Sequence, residues 1–220
     1  MLSSDIVVFG YPKAGNTGLA RLIRTARSGI ICNFPGEENW IDSADKGEGE
    51  VRVYKTHNAS SLNKATTIVY VIREPIAMSL SGFYHNKPWL KGARIMNTIV
   101  GDLMINLYLL VYGCRWPGLD IYKNHFKIAK GFNATVLRYE NIWTGKISKE
   151  EISSIFLSLD NYRRALVDES KQKKQNQFHL LGDVKSAGFL KEYKRTAKIY
   201  LITKKILKTR SGEIWNLYHD

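Results

Sequence analysis

Ile6-Val-Val-Phe-Gly-Tyr-Pro-Lys-Ala-Gly-Asn-Thr17 is the stretch on which the fold of this chain depends. Its first four residues form a short apolar run, which is typical of a strand buried on both faces. A turn marked by Gly10, Pro12 and Gly15 follows. Apolar residues then recur at helical spacing, at Leu19, Leu22, Ile23 and Ala26. The pattern predicts a strand, a glycine-containing loop and a helix, which together direct backbone N–H groups and the positive end of the helix dipole at one anion.

This loop differs from a Walker A loop at the position of the lysine. Gly10 and Gly15 have the G-x-x-x-x-G spacing, but the next residue is Asn16, followed by Thr17. The lysine of the loop is Lys13, two residues before the second glycine. A protein that binds a shorter phosphate chain than a nucleoside triphosphate could place its cation there. The loop therefore predicts phosphate binding, and the alternative is an ordinary strand–turn–helix corner with a chance pair of glycines.

The composition is that of a folded globular protein whose charge is unevenly distributed. Its 220 residues carry a formal net charge of +13 and are enough for one domain with its own core. Residues 1–170 hold 21 Lys and Arg against 16 Asp and Glu, a net charge of +5, whereas residues 171–210 hold 12 against 2, a net charge of +10. The basic segment predicts peripheral contact with acidic surfaces, without specific nucleic-acid recognition; the alternative is a solvated, solubilising helix.

Three features of the sequence predict a cytoplasmic protein. Cys32 and Cys114 are too few for a disulfide framework, which favours a reducing compartment. The first predicted strand begins at Ile6, which leaves no room for a signal peptide. The most apolar stretch, at 99–114, is interrupted by polar residues, so we expect a buried helix there and no transmembrane segment. Cysteine and histidine spacing suggests no metal site.

Strands and helices alternate along the rest of the chain. We expect an irregular segment at 28–49, strands at 51–55, 67–72 and 134–138, helices at 75–84, 88–113, 119–130, 148–159, 160–170 and 190–201, and a polar, mobile segment at 171–188. The helix at 148–159 opens with the capping box Ser148-Lys-Glu-Glu151. The alternation predicts an α/β fold, with a parallel sheet between two layers of helices. We expect one domain over residues 1–220, with a basic, partly mobile C-terminal segment at 171–220.

Polar or cationic residues follow each of the four predicted strands. Lys13 comes after the first strand, Lys55 and His57 after the second, Arg73 after the third and Tyr139 after the fourth. Ligands of parallel α/β sheets bind beyond the carboxyl ends of the strands. We therefore expect these five side chains at one edge of the sheet.

Four segments of the chain, in order, resemble the motifs of one enzyme family. Tyr11-Pro-Lys-Ala-Gly-Asn-Thr17 resembles a loop for a 5′-phosphosulfate, and Lys55-Thr-His57 resembles a segment that carries a catalytic base. Val71-Ile-Arg-Glu-Pro75, with Ser81 eight residues after its arginine, resembles a 3′-phosphate motif, and Arg138-Tyr-Glu-Asn141 a strand end whose tyrosine contacts adenine. This chain resembles the sulfotransferases that use 3′-phosphoadenosine 5′-phosphosulfate (PAPS), over residues 6–145, which implies a P-loop-like sulfotransferase fold.

The resemblance implies a role for each residue. His57 would be the general base, Lys13 would stabilise the leaving phosphate, and Lys55 would help to hold the sulfonate during in-line transfer. Arg73 would pair with the 3′-phosphate, assisted by Ser81. The remaining PAPS contacts would come from Ala14, Gly15, Asn16, Thr17, Gly18 and Tyr139. The product would be 3′,5′-adenosine bisphosphate. Lysines would supply the positive charge that magnesium supplies for nucleoside triphosphates, so no metal ion would be needed.

The chain departs from the family pattern at two places. Gly18 stands where the family usually has an aromatic residue that stacks on adenine. The family usually ends with an Arg-Lys-Gly element and a Trp that close over the 3′-phosphate. The nearest stretch here is Lys185-Ser-Ala-Gly188, with Tyr193 near the place of the Trp. In this interpretation Lys185 replaces the arginine.

The expected acceptor is a hydroxyl, or an amine, of a carbohydrate or small molecule, and no motif indicates an oligomeric state. One alternative is a P-loop nucleotide kinase, which is disfavoured because Asn16 replaces the Walker lysine and no clear Walker B carboxylate ends a strand. The other is a non-enzymatic protein that binds polyanions through residues 171–210. That function would leave Lys13, His57 and Arg73 without a role.

Overall fold

The computed structural model describes residues 5–12, 14–33, 51–59, 62, 67–75, 78, 81, 95, 99–101, 103, 104, 107, 119–175 and 205–219. Its centre is a sheet of five parallel strands in the order β2-β3-β1-β4-β5. The strands are β1 (Ile6–Gly10), β2 (Ile30–Asn33), β3 (Arg52–Thr56), β4 (Thr67–Ile72) and β5 (Thr135–Arg138). The predicted α/β class with a parallel sheet is confirmed.

The position of β1 in this order matters for ligand binding. The chain leaves β1 toward β2 and β3 on one side and later returns to place β4 and β5 on the other. The carboxyl end of β1 is therefore the point at which the strand order reverses, where open α/β sheets form their ligand crevice.

Six helices have defined bounds in the described part of the chain. They are α1 (Asn16–Arg27), α2 (Leu119–Gly131), α3 (Tyr139–Thr144), α4 (Lys149–Phe156), α5 (Leu159–Gln175) and α6 (Glu213–His219), and residues 205–211 are also helical. The predicted capping box at the start of α4 is confirmed, because the Ser148 hydroxyl accepts from the Glu151 N–H and the Glu151 carboxylate accepts from the Ser148 N–H.

Several sequence predictions need correction. Residues 30–33 form edge strand β2 inside the segment expected to be irregular, because their backbone pairs with β3. The strand predicted at 51–55 is β3, which begins at Arg52 and runs one residue further, to Thr56. Tyr139 opens the short helix α3, where a strand end was expected, and α5 continues to Gln175, into the segment expected to be mobile. The helices predicted at 88–113 and 190–201 lie largely or wholly outside the described residues, as do most of 75–84 and the rest of 171–188.

The two faces of the sheet are covered by different helices, as predicted. Alternate strand residues such as Val8, Val69 and Val71 pack in one mainly aliphatic cluster with α1, α4 and α5. Phe9 and Tyr70 point to the other face, where they contact His125 and Phe126 from the second half of α2. We call these the α1 face and the α2 face.

The chain divides into two compact units. The first is Met1–Arg73 with His125–Gln175 and contains the whole sheet, and the second is Glu74–Asn124 with Asn176–Asp220. The prediction of one domain stays a prediction. None of the helices within the ranges given above has both the length and the apolar character that crossing a membrane requires.

Candidate active site

The corner between β1 and α1 is the centre of the site. The Ala14 N–H donates to the Tyr11 carbonyl over 3.1 Å, which closes a turn, and α1 begins after Gly15. Gly15 has φ +110, a backbone conformation that side chains rarely adopt. Helix geometry leaves the first N–H groups of α1 without intrahelical acceptors. The predicted strand–loop–helix corner is confirmed as a structure, and Lys13 lies outside the described residues.

Asn16 holds this corner closed. Its side chain is 3% exposed, and its Nδ2 donates to the Gly10 carbonyl over 2.7 Å and to the Tyr11 carbonyl over 3.4 Å. A Cβ on Gly10 would lie 2.2 Å from Asn16 Oδ1, so this close approach requires glycine. The side chain in the Walker lysine position therefore points back into the loop and stabilises it.

His57 follows β3 and its ring lies against the same carbonyl. Nδ1 of His57 is in hydrogen-bond contact with the Gly10 oxygen and 3.0 Å from Asn16 Nδ2. A carbonyl oxygen only accepts, and it has two lone pairs, so it accepts from both Asn16 Nδ2 and His57 Nδ1. In the neutral imidazole this arrangement assigns the proton to Nδ1 and the basic lone pair to Nε2. The half-buried ring therefore has the tautomer that a general base acting through Nε2 requires.

Lys55 and Thr17 meet at the start of α1. Nζ of Lys55, from β3, donates to Thr17 Oγ1 over 2.7 Å. The Thr17 side chain is exposed and that of Lys55 is half-buried. This contact places a cation beside the first turn of α1, where the helix dipole already favours negative charge.

Arg73, Tyr139 and Gly15 form a layered group on the other side of the loop. The Arg73 guanidinium carbon lies 4.5 Å from the centre of the Tyr139 ring, in cation–π geometry. A Cβ on Gly15 would lie 2.3 Å from Tyr139 Cδ2, so the ring rests directly on the glycine backbone. Arg73 follows β4 and is 5% exposed. The stack connects the ends of β4 and β5 to the β1–α1 loop.

The structure thus brings together most of the residues predicted for the site. Those that contact the β1–α1 loop or one another around it are Gly15, Asn16, Thr17, Lys55, His57, Arg73 and Tyr139. Ala14 is buried within the turn and Gly18 is half-buried in the first turn of α1. Ser81 has a helical backbone and belongs to the second compact unit, so its predicted partnership with Arg73 stays a prediction. Lys185 lies outside the described residues.

Sequence reasoning missed His125, a residue of α2 that touches the site from the α2 face. Its Nε2 is 2.8 Å from the His57 carbonyl oxygen and its Nδ1 is 3.1 Å from the Tyr70 hydroxyl. Burial lowers the pKa of His125 below its ordinary value, and the hydrogen bond to His57 opposes that shift. The sequence signal that could have identified His125 is its position beside Tyr122, Phe126 and Ala129, which recur at helical spacing and are buried.

Comparison with known proteins gives no family for this chain. No protein-family model matches it, and no curated protein matches it either. Among the side chains that the structure describes, no three His, Cys, Asp or Glu residues lie close enough together to hold a metal ion.

Proposed function

We propose that this protein is a PAPS-dependent sulfotransferase, which moves a sulfuryl group to a hydroxyl or amine of a carbohydrate or small molecule. The observation that carries the proposal is the position of His57. Its Nδ1 is bound to the carbonyl that ends β1, at the edge of a loop suited to phosphate, and its basic nitrogen is Nε2. A base and an anion-binding loop in direct contact suit transfer of an anionic group to a nucleophile that must lose a proton.

The residues present fit the anionic donor. Gly15 leaves no room for a side chain, and it is followed by helix N–H groups and the exposed Thr17 hydroxyl. Lys55 adds a positive charge 2.7 Å from that hydroxyl. Arg73, held on the Tyr139 ring, supplies a second cation of the type that binds phosphate in a bidentate manner. When bound, the donor would supply the activated sulfuryl group.

Each residue then has a definite task. His57 Nε2 takes the proton from the acceptor hydroxyl as the acceptor oxygen becomes the nucleophile, and Nδ1–H to Gly10 keeps the resulting imidazolium in place. Lys55 neutralises negative charge beside the first turn of α1. Arg73 and Tyr139 orient the nucleotide end. By resemblance, Lys13 serves the leaving oxygen and Ser81 and Lys185 assist at the 3′-phosphate.

The same geometry weighs against a P-loop nucleotide kinase. In such a kinase the residue after the second glycine is a lysine that reaches the β- and γ-phosphates. Here that residue is Asn16, and its amide donates to Gly10 and Tyr11 within the loop. A polyanion-binding protein that acts through residues 171–210 would give His57 and Lys55 no role. Its basic segment lies mostly outside the described residues. A cytoplasmic location, the acceptor class and peripheral contact with acidic surfaces stay predictions.

Calorimetric titration with 3′,5′-adenosine bisphosphate tests the proposal, with AMP and ATP as competing ligands. We expect the bisphosphate to bind more tightly than either, because Arg73 would pair with its 3′-phosphate. Arg73→Gln should weaken the bisphosphate by about 10- to 100-fold and change AMP binding little. Arg163→Gln removes the same charge from an exposed position on α5 and serves as the matched control. Preference for ATP, or equal affinity for AMP and the bisphosphate, would contradict the proposal.

A further inference from the structure

The backbone of His57 is fixed as firmly as its ring. The Asn58 N–H donates to Thr56 Oγ1 over 2.9 Å, and the same hydroxyl lies 3.3 Å from the Asn58 carbonyl. This local turn bends the chain directly after β3. His125 Nε2 lies 2.8 Å from the carbonyl oxygen of His57 itself. The peptide that follows His57 is therefore held from two sides, by its own turn and by α2.

The direction of each hydrogen bond follows from the chemistry of its partners. The His57 carbonyl only accepts, so His125 Nε2 carries a proton and donates it. A neutral His125 then has its lone pair on Nδ1, where it accepts from the Tyr70 hydroxyl at 3.1 Å. The result is a directed chain from the Tyr70 hydroxyl, through the imidazole of His125, to the backbone of His57. Successive hydrogen bonds of this kind polarise and strengthen one another in a buried setting.

The ring of His125 has little freedom to turn. It is 8% exposed, its centre lies 4.1 Å from the centre of the Phe9 ring in a stacked arrangement, and the Tyr11 ring meets it edge-on at 5.6 Å. Phe9 belongs to β1 and Tyr70 to the neighbouring β4, where the two residues are paired in register. The imidazole thus packs against side chains of two hydrogen-bonded central strands of the sheet.

We propose that His125 is a positioning residue for His57: its hydrogen bond to the His57 carbonyl fixes the backbone from which the base projects. The inference rests on the proposed role of His57 as general base. When the His57 carbonyl is held, Nδ1 of His57 stays on the Gly10 oxygen and Nε2 of His57 keeps one direction toward the acceptor. Without it, the turn after β3 can rotate and the base samples orientations in which Nε2 misses the acceptor proton. Displacement of a catalytic group by about 1 Å lowers the rate by up to about 100-fold.

Three substitutions separate this role from simple packing. His125→Phe keeps an aromatic ring on Phe9 and removes the donor. His125→Gln keeps an N–H donor at a similar distance along the side chain and should recover part of the lost turnover. Tyr70→Phe keeps its own ring and removes only the hydroxyl that orients His125, so its effect should be smaller than that of His125→Phe.

The primary readout is the 15N NMR spectrum of the histidine side chains, recorded without donor or acceptor, in which His57→Gln identifies the His57 signals. In the unmodified protein we expect protonated Nδ1 and unprotonated Nε2 for His57. His125→Phe should mix the two tautomers of His57, and His125→Gln should restore the original pattern. The second readout is turnover, where His125→Phe should lower kcat by about 10- to 100-fold with unchanged affinity for 3′,5′-adenosine bisphosphate.

The outcomes are distinct. An unchanged His57 spectrum and unchanged kcat in His125→Phe overturn the positioning role, even if the protein is a sulfotransferase. If His125→Phe does not fold, Tyr70→Phe decides the question in the same spectrum: partial mixing of the two His57 tautomers supports the positioning role, and an unchanged spectrum overturns it. The positioning role is also overturned if His125→Phe lowers kcat without changing the His57 spectrum and His125→Gln restores none of the lost turnover. Failure of the unmodified protein to turn over PAPS removes the proposed function, whereas the NMR comparison still tests the coupling between the two histidines.

Discussion

The α1 face and the α2 face share the same strands but differ in chemistry. On the α1 face, side chains such as Val8 and Val69 pack with Leu22 and Ile23 in a mainly aliphatic layer, to which Phe156 also belongs. On the α2 face, Phe9 and Tyr70 surround a buried histidine whose hydrogen bonds reach His57. Aliphatic packing is non-directional, whereas each hydrogen bond on the α2 face fixes one atom relative to another.

Because its two faces differ in this way, one sheet can serve both stability and function. The α1 face supplies apolar burial, and substitutions there should change the free energy of unfolding while leaving the chemistry of the folded protein alone. The α2 face fixes the backbone of His57, so substitutions there should change turnover by more than they change stability. The β1–α1 corner joins the two faces, so substitutions there should change both the free energy of unfolding and turnover.

The largest effect is expected for Gly15→Ala at that corner. The new Cβ would lie 2.3 Å from the Tyr139 ring at a backbone φ of +110, so strain and displacement of the ring act together. We expect the free energy of unfolding to fall by about 2–6 kcal/mol, as measured by urea denaturation. Gly145→Ala is the matched control, because Gly145 also has positive φ but its Cβ would meet no atom within 4 Å.

Gly145→Ala should lower the free energy of unfolding by no more than about 1–3 kcal/mol, because only backbone strain at positive φ contributes there. Adding Tyr139→Ala to Gly15→Ala should recover the part that comes from the ring. Equal losses for the two glycine variants would show that the contact between Gly15 and Tyr139 contributes nothing to stability.

The next effect belongs to the α1 face. Leu22→Ala removes a fully buried side chain of α1 and should lower the free energy of unfolding by about 2–5 kcal/mol. Turnover, measured under conditions in which the variant stays folded, should remain close to that of the unmodified protein. A kcat that fell along with stability would erase the distinction between the two faces.

Lys55→Met tests the charge beside the first turn of α1. The substitution keeps an unbranched side chain and removes the cation that donates to Thr17. We expect kcat to fall by about 100-fold, equivalent to about 2.7 kcal/mol, because a positioned donor is lost. Steady-state kinetics measures this loss, and Lys149→Met, on the exposed start of α4, is the control with the same change of charge. Similar kinetics for both variants would remove Lys55 from the mechanism.

The smallest effect is a pH dependence of stability that belongs to the α2 face. Burial lowers the pKa of His125 from its ordinary value of 6.5 in the folded protein. The unfolded chain therefore binds this proton more readily, and the free energy of unfolding should fall as pH drops below about 6.5 toward the lower folded pKa. This loss of stability stops once the pH is below the pKa of His125 in the folded protein, because His125 is then protonated in both the folded and the unfolded state.

Urea denaturation between about pH 8 and pH 5 measures this slope, whose window follows from the two pKa values. His125→Gln should flatten it, because glutamine does not titrate. Leu22→Ala should lower stability equally at every pH and leave the slope as it was. An unchanged slope in His125→Gln would mean that His125 does not set the pH response.

The sequence predicted the α1 face and the corner better than the α2 face. The apolar run of β1 and the helical spacing of α1 are local patterns, so both elements and the turn at Gly15 were correct. Edge strand β2 was missed because it has four residues and exists through pairing with β3. The helix α3 was missed because its six residues follow a strand without a capping side chain.

The sequence predicted which residues belong to the site better than it predicted how those residues contact one another. His57 was selected from its motif, but its contact with Asn16 joins residues 41 positions apart, and sequence spacing says nothing about such a contact. Asn16 was interpreted only as the residue that replaces a lysine, whereas its side chain holds the loop closed. His125 was passed over because its role arises from packing between α2 and two strands, for which no local motif exists.

Sulfuryl transfer through His57 can be measured as the formation of 3′,5′-adenosine bisphosphate from PAPS, by mass spectrometry across a panel of hydroxyl and amine acceptors. We expect acceptor-dependent formation of the bisphosphate by the unmodified protein. His57→Gln should slow it by about 100- to 10,000-fold without changing the affinity for the bisphosphate. No bisphosphate with any acceptor, or equal rates for the two proteins, would contradict the claim that the carboxyl edge of this sheet transfers sulfuryl groups through His57.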